Sequence, residues 1–253
     1  MQFAVGITTA PRERPTFAEC YQSVLGTGFT SPYVFADAYT PPGVEDRLVV
    51  RPNTLAKPVL PVVGTRYGAW RNWLQSLADL LHAEPDAEGI LLVQDDVRFC
   101  RGVKDFLADG HWRLSGSGLV ALSLSFAYRG IAQNRGLNDI SINRAVLAGA
   151  WALLFPREVA QAILVHPLCQ DAPKAWHTKF RDPVMAKGID SAVGRILLQM
   201  GYKFHAYRPS LAQHFGEAST INTSGPLTGN RATHSWHGVE AVAADLFRVP
   251  VVT

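Results

Sequence analysis

The chain has 253 residues, of which 47% are hydrophobic, and its 24 basic and 21 acidic side chains give a formal charge of +3. The high apolar content and low net charge exclude a mostly disordered chain, and the length fits one large α/β domain or two small ones. The sequence pI near 8.8 rests on a small excess of basic residues, so it permits a polyanionic partner without requiring one.

Cysteine content and apolar runs bear on the compartment. The three cysteines are far apart and form no CxxC pair, which argues against a zinc ribbon or a disulfide framework. The N-terminal apolar stretch has no basic leader ahead of it, so we interpret it as a first strand and not as a signal peptide. The longest apolar run, residues 145–155, is too short to span a bilayer. We therefore expect a cytoplasmic protein without a transmembrane segment.

Strand-like and helix-like patterns alternate along the chain. In chain order the patterns predict strands at 3–9, 32–36 and 47–50, an amphipathic helix through 70–81, strands at 90–93 and 119–124, a helix at 157–165 with Pro156 at its first position, a helix capped by Asp190 or Ser191 and ended by Gly201, a strand at 203–207 and a helix at 236–247. This alternation predicts an α/β sandwich with a mostly parallel sheet. Residues 217–235 are polar and lack periodicity, so they form a candidate flexible lid loop.

Two adjacent acids, Asp95 and Asp96, follow the apolar strand at 90–93 directly. Carboxylates at the end of a buried strand cost free energy unless they are solvated, paired or metal-bound. In open α/β sheets ligands bind at this same edge, and carboxylate oxygens suit Mg²⁺ or Mn²⁺ bridging to substrate phosphates. The alternative is that the two acids only cap the turn after the strand.

An ordered set of motifs extends this pattern over most of the chain. The motifs are ITTAPR at 7–12, Asp37 after the second strand, RYGAWRNW at 66–73, ILLVQDDV at 90–97, Gly149-Ala150-Trp151, Asp190 in IDSAVGRILLQMG, and PSLAQHFG at 209–216. In their order and spacing they resemble a nucleotide-sugar glycosyltransferase of the GT-A fold, similar to family 2. The acids are adjacent here, whereas that family often has a spaced DxD, and Ile189 stands where it often has Glu. The resemblance implies a single GT-A-like, Rossmann-type α/β/α domain over residues 1–253, with a mixed sheet.

The resemblance also implies an activity and a set of site residues. The activity is metal-dependent transfer of a sugar from a nucleotide diphosphate sugar, UDP-linked in the first instance, to a hydroxyl group. Asp96 and His214 would hold Mn²⁺ or Mg²⁺, and an imidazole ligand favours Mn²⁺. Residues that would contact the nucleotide sugar are Thr8, Thr9, Arg12, Asp37, Arg66, Arg71, Asp95 and Trp151.

Asp190 is the candidate catalytic base. An inverting transfer needs a carboxylate that takes the proton of the acceptor hydroxyl, whereas a retaining transfer does not, so the stereochemistry stays open. The other role for Asp190 is the N-cap of its helix.

The acceptor and three alternative functions also stay open. The acceptor could be a saccharide, a lipid, a protein or a modified DNA base. The alternatives are a glycosyltransferase acting on modified DNA, a nucleotidyltransferase, and a non-catalytic nucleotide- or carbohydrate-binding module. A nucleotidyltransferase normally has a Gly-rich phosphate loop after the first strand, and the segment TTAPRER has no glycine.

Overall fold

The structure is a computed structural model that describes residues 1–12, 14–37, 39–44, 47–51, 66–111, 120–124, 136–139, 150–170, 189–215 and 237–247. The strands are β1 (Phe3–Thr9), β2 (Tyr33–Asp37), β3 (Leu48–Arg51), β4 (Gly89–Gln94), β5 (Val97–Phe99), β6 (Val120–Ser123), β7 (Gly136–Asp139), β8 (Ala152–Pro156), β9 (Lys203–Arg208) and β10 (Ala212–His214). The helices are α1 (Phe17–Gly26), α2 (Arg66–Ala83), α3 (Val103–Phe106), α4 (Arg157–Val165), α5 (Pro167–Gln170), α6 (Ile189–Gln199) and α7 (Ala243–Phe247), and a π-helical turn (Leu107–His111) extends α3.

Eight strands form one sheet in the order β3-β2-β1-β4-β8-β6-β9-β7, and β5 pairs with β10 in a separate two-stranded ribbon. In the large sheet β3, β2, β1 and β4 are parallel neighbours, as are β6 and β9, whereas β8 and β7 run antiparallel to the strands beside them. The predicted α/β fold with a mostly parallel mixed sheet is confirmed.

Helices cover both faces of this sheet, which explains the unbroken apolar run in β4. Ile90 and Leu92 point into the core cluster that contains the buried faces of α2, α4 and α6. Leu91 and Val93 point into the opposite cluster, with α1, α3 and α7. Successive side chains of a strand face opposite sides, so a strand covered on both faces has no polar alternation. The molecule therefore has three layers, α/β/α.

The direction of α2 follows from contacts at its end. Glu84, the residue after α2, accepts hydrogen bonds from Tyr33 at the start of β2 (3.0 Å) and from Arg47 just before β3 (2.9 Å). Arg157 donates to the carbonyl oxygens of Leu81 (2.7 Å) and Glu84 (2.8 Å). The helix therefore ends at the amino edge of the parallel strands and begins at their carboxyl edge.

Several predicted elements are corrected by the structure. The C-terminal helix predicted at 236–247 is confined to Ala243–Phe247. Pro156 ends β8 and is the N-cap of α4, one position earlier than predicted. Asp190 and Ser191 lie inside α6, so neither caps it, although an acid in a first turn still suits the helix dipole. The candidate lid at 217–235 lies outside the described residues.

Some elements have no counterpart in the sequence interpretation. The helix α1 and the strands β5, β7, β8 and β10 belong to this group. Three of these strands are only three or four residues long, too short for a periodic pattern to stand out. None of the helices in the described part of the chain is both long and apolar enough to cross a membrane.

Candidate functional site

The candidate site lies at the carboxyl edge of β1 and β4. Asp95 and Asp96 form the tight turn between β4 and β5, and the Asp95 N–H donates to the carbonyl oxygen of Thr8 (3.1 Å). Both acids are almost completely buried, with 2% and 4% of their surface exposed. Two carboxylates buried this deeply require partners, and those partners define the site.

Strand pairing brings His214 to Asp96 from 118 residues away in the sequence. His214 is opposite Val97 in the antiparallel pair of β10 and β5, and the next N–H, of Phe215, donates to the carbonyl oxygen of Asp96 (2.9 Å). In this register His214 Nε2 lies 3.0 Å from Asp96 Oδ2. The two residues predicted to hold a metal ion are therefore adjacent.

Asp95 has both of its carboxylate oxygens occupied. Its Oδ2 accepts hydrogen bonds from Thr9 Oγ1 (2.6 Å) and Arg12 Nε (3.3 Å). Its Oδ1 accepts one from Arg12 Nη2 (2.5 Å). The Thr9 hydroxyl also shares a short hydrogen bond with the hydroxyl of Tyr39. Asp95 is thus hydrogen-bonded to the end of β1 and to the guanidinium of Arg12.

Among the residues that the structure describes, Asp96 has partners on one of its two carboxylate oxygens only. Its Oδ2 lies 3.0 Å from Arg12 Nη1 and 3.0 Å from His214 Nε2. Its Oδ1 is buried without a hydrogen-bond partner among the described residues. A buried carboxylate oxygen without a donor costs free energy, so a cation or a bound water is the chemistry that would satisfy it.

The electrostatic environments of the two acids differ. Burial raises the pKa of Asp95 above its ordinary value, and the negative charge of Asp96 acts in the same direction, against the lowering effect of Arg12. Burial alone would raise the pKa of Asp96 too, but His214 and Arg12 together hold that pKa below its ordinary value. Asp96 is therefore the acid better kept as a carboxylate at neutral pH.

Trp151 and His214 pack against each other. Their ring centroids are 5.0 Å apart, and the Trp151 carbonyl accepts a hydrogen bond from the Gln94 N–H (2.8 Å), so the tryptophan borders the carboxyl end of β4. Trp151 is 6% exposed. Its ring lies against the imidazole at the site, and its contact with a sugar stays a prediction.

The other predicted nucleotide contacts lie on or near the same edge. Thr8 uses its hydroxyl to donate to the Val93 carbonyl oxygen (3.2 Å), which ties β1 to β4. Asp37 ends β2, the neighbour of β1. Arg66 and Arg71 lie in the first two turns of α2, which begins at this edge, and their side chains are outside what the structure describes.

Asp190 lies in the first turn of α6 and is partly exposed. Because α6 ends shortly before β9 begins at the amino edge, its first turn points toward the carboxyl edge, where the acids lie. Its role as a base stays a prediction.

Sequence reasoning missed two residues of the site. Tyr39 contacts Thr9, and the buried Cys20 donates from its Sγ to the Gln94 carbonyl oxygen (3.3 Å). Burial raises the pKa of the Cys20 thiol well above its ordinary value, so this cysteine is a packed thiol and not a nucleophile. Nothing in the local sequence marks either residue, since both contacts join separate elements.

No protein-family model matches this chain, and no curated protein matches it. Solved structures that are similar in fold include three that we describe. They are A197 from STIV (12% identity, TM-score 0.43, 85% of this chain and 86% of that chain), CMP:2-keto-3-deoxy-manno-octonic acid synthetase complexed with CTP (11%, 0.42, 82% and 89%), and a glycosyltransferase involved in the glycosylation of the major capsid of PBCV-1 (12%, 0.43, 86% and 95%). At this identity the likeness concerns the fold, and at these TM-scores it carries no argument about function.

Proposed function

We propose that this protein is a metal-dependent glycosyltransferase that moves a sugar from a nucleotide diphosphate sugar, UDP-linked in the first instance, to a hydroxyl acceptor. One observation carries the proposal. At the carboxyl edge of the sheet, the buried Asp96 has His214 on one oxygen and no partner among the described residues on the other. This edge is where open α/β sheets bind their ligands.

The donor set fits a hard or borderline divalent cation. The Asp96 Oδ2 and His214 Nε2 atoms are 3.0 Å apart, which is about the separation of adjacent ligands around an octahedral ion with bonds of about 2.1 Å. Within the described part of the chain no group of three or more His, Cys, Asp or Glu side chains is arranged to hold a metal ion. A site with two protein ligands suits Mg²⁺ or Mn²⁺, which keep several waters and share the substrate phosphates, and the imidazole favours Mn²⁺.

The residues have separate tasks in the proposed transfer. When bound, the divalent cation would neutralise the negative charge that accumulates on the leaving diphosphate. Arg12 lies at the same acids and can contact phosphate oxygens through two N–H groups at once. Asp190 would accept the proton of the acceptor hydroxyl if the transfer inverts the anomeric centre.

Thermal unfolding with a panel of nucleotide sugars tests this function. A ligand that binds only the folded state at about 100 times its Kd stabilises that state by about 2.7 kcal/mol. For a chain of this size that stabilisation raises Tm by about 5–10 °C. We expect such a rise with a UDP-sugar and Mn²⁺, and a much smaller one when EDTA replaces the metal. The proposal is wrong if no nucleotide sugar raises Tm.

Matched variants test whether the Mn²⁺-dependent rise in Tm depends on Asp96 and His214. We expect Asp96→Asn and His214→Gln each to remove the Mn²⁺-dependent part of the Tm rise, since each removes one cation ligand. Asp86→Asn and His82→Gln are the controls, because both side chains are exposed and lie near the end of α2, at the opposite edge of the sheet. If the site variants bind donor and Mn²⁺ as well as the controls do, the metal assignment is wrong.

Products distinguish the alternative activities. A glycosyltransferase releases a nucleoside diphosphate from the donor, and slow hydrolysis of the donor without an acceptor would exclude a purely binding role. A nucleotidyltransferase instead consumes a nucleoside triphosphate and releases pyrophosphate, and that result would overturn the proposal. Turnover of a bound donor with saccharide, lipid, protein or hydroxymethylated DNA acceptors identifies the acceptor class.

A further inference from the structure

One guanidinium spans both acids of the candidate site. Arg12 donates through Nη2 and Nε to Asp95 (2.5 and 3.3 Å), and its Nη1 lies 3.0 Å from Asp96 Oδ2. The Arg12 side chain is 14% exposed, so the three groups interact in a largely dry environment. Charge pairs of this kind are stronger than exposed ones because solvent screens them less.

The position of Arg12 opposes the binding of a divalent ion alone at Asp96 and His214. Asp96 Oδ2 accepts from Arg12 on one side and faces His214 on the other. A divalent ion held by Asp96 and His214 would therefore share one carboxylate with a guanidinium. Two cations at one carboxylate repel each other, and this repulsion weakens binding of the metal alone.

A diphosphate changes that balance. With both carboxylates ionised, the three side chains carry one net negative charge, which a divalent ion alone converts to one net positive charge. A nucleoside diphosphate supplies the missing negative charge. Its phosphate oxygens can also accept the hydrogen bond that the Arg12 guanidinium donates to Asp96. The planar fork of arginine suits phosphate oxygens as well as carboxylates.

We propose that Arg12 couples the two ligands of the site. It contacts Asp96 before the ligands bind, keeps its hydrogen bonds to Asp95, and transfers its Nη1 contact from Asp96 to the diphosphate when metal and nucleotide bind together. This inference rests on the proposed function and adds an order of assembly to it. Divalent cation and nucleoside diphosphate bind cooperatively, and each binds poorly alone. By linkage each ligand raises the affinity for the other by the same factor.

Asp95 has a distinct part in this arrangement. Both of its oxygens are occupied by Thr9 and Arg12, whereas Asp96 retains a buried oxygen without a partner among the described residues. Asp95 is therefore a positioning residue that holds the Arg12 guanidinium, and Asp96 is the acid available to a cation. The two adjacent acids differ in this arrangement because Thr9 at the end of β1 and two N–H groups of Arg12 bind Asp95, whereas Asp96 receives one Arg12 group and His214 on a single oxygen.

Mn²⁺ binding, measured by electron paramagnetic resonance of free Mn²⁺ with and without UDP, tests the coupling without any turnover. In the wild-type protein we expect UDP to tighten Mn²⁺ binding by about tenfold or more, within the usual range of coupling between sites. In Arg12→Gln we expect Mn²⁺ alone to bind tighter than in the wild type. We expect UDP to tighten Mn²⁺ binding by a smaller factor than in the wild type, because only the direct contact between the metal and the diphosphate then couples the two ligands. Arg101→Gln is the matched control, because Arg101 is 61% exposed and pairs with Glu240 away from the acids.

Arg12→Gln leaves two buried carboxylates without their cation, which destabilises the folded protein. A second variant therefore tests the same coupling without this charge imbalance. The double variant Arg12→Gln/Asp95→Asn removes one positive and one negative charge together and keeps Asp96 and His214. Its net charge equals that of the wild type, so general electrostatics predicts unchanged Mn²⁺ affinity. If Arg12 competes with the metal for Asp96, as we propose, the double variant instead binds Mn²⁺ more tightly and shows weaker coupling to UDP.

The outcomes separate this inference from the proposed function. If the wild-type protein binds neither Mn²⁺ nor UDP, the proposed function fails. If it binds both, but UDP tightens Mn²⁺ binding equally in the wild type, Arg12→Gln and the double variant, the function stands and the coupling role of Arg12 is wrong. If Mn²⁺ alone binds no tighter in the double variant than in the wild type, Arg12 does not restrict access to Asp96.

Discussion

Thr9→Val and Thr8→Val are predicted to destabilise the protein to different extents, although the two residues are neighbours in β1. The substitution keeps the shape of the side chain and replaces the hydroxyl with a methyl group. In Thr9 that hydroxyl is buried and donates to the carboxylate of Asp95 (2.6 Å), whereas in Thr8 it is partly buried and donates to the Val93 carbonyl oxygen (3.2 Å). The acceptor is charged in one case and neutral in the other.

The magnitudes follow from these acceptors. A hydrogen bond to a charged group contributes about 1.5–3 kcal/mol to stability, and one between neutral groups about 0.5–1.5 kcal/mol. We therefore expect Thr9→Val to lower the free energy of unfolding by about 2 kcal/mol, about 1 kcal/mol more than Thr8→Val. Both positions lie in the same central strand, so the gain in strand propensity from valine largely cancels in the comparison.

Urea unfolding of both variants measures the difference, provided that the m-value does not change. A double-mutant cycle assigns the cost to the contact: in an Asp95→Asn background the cost of Thr9→Val should shrink by about 1 kcal/mol, because the charged acceptor is gone. If Thr9→Val lowers the free energy of unfolding no more than Thr8→Val does, or by the same amount in both backgrounds, the hydrogen bond from Thr9 to Asp95 does not stabilise the protein as proposed.

Two further predictions concern packing and thiol chemistry. A Cβ added at Gly6 would lie 2.7 Å from Phe35 Cε2, so Gly6→Ala should destabilise the protein by about 1–3 kcal/mol in urea unfolding. At Gly26, the end of α1, an added Cβ would meet no other described part of the chain within 4 Å, so Gly26→Ala should stabilise the protein slightly. Equal effects would contradict the packing of β1. Burial raises the pKa of both Cys100 and Cys169 to about 12. Cys100 is buried, so reagents such as DTNB should label it only on unfolding, whereas Cys169 is partly exposed and should react slowly in the native protein because little of it is thiolate at pH 8. Rapid labelling of the native protein would contradict this.

Much of the fold could be predicted from local patterns. The run from Ile90 to Val93 predicts a strand covered on both faces, and Trp73 and Leu77 at helical spacing predict the buried face of α2. The strand β8 was missed, because an apolar run of that length is equally compatible with a buried helix. The C-terminal helix is shorter than its apolar spacing predicts.

The candidate site was predictable only in part. The edge position of Asp95 and Asp96 follows from the strand before them, and a role for His214 came from the resemblance of its segment to a known family. The structure adds that His214 and Asp96 are adjacent. It also adds that Arg12, expected at the nucleotide, pairs with both acids, and that Tyr39 joins the network through Thr9.

The sequence by itself determined the class of fold, the buried central strand and the edge of the sheet at which acids accumulate, because periodicity and turns depend on neighbouring residues. The tertiary structure alone decided which of two adjacent acids keeps an oxygen without a partner among the described residues. Asp95 receives Thr9 and Arg12 from β1 and the loop after it, and Asp96 receives His214 through the pairing of β5 with β10. Those partners come from residues more than 80 positions away, and local sequence carries no information about distances across such a separation.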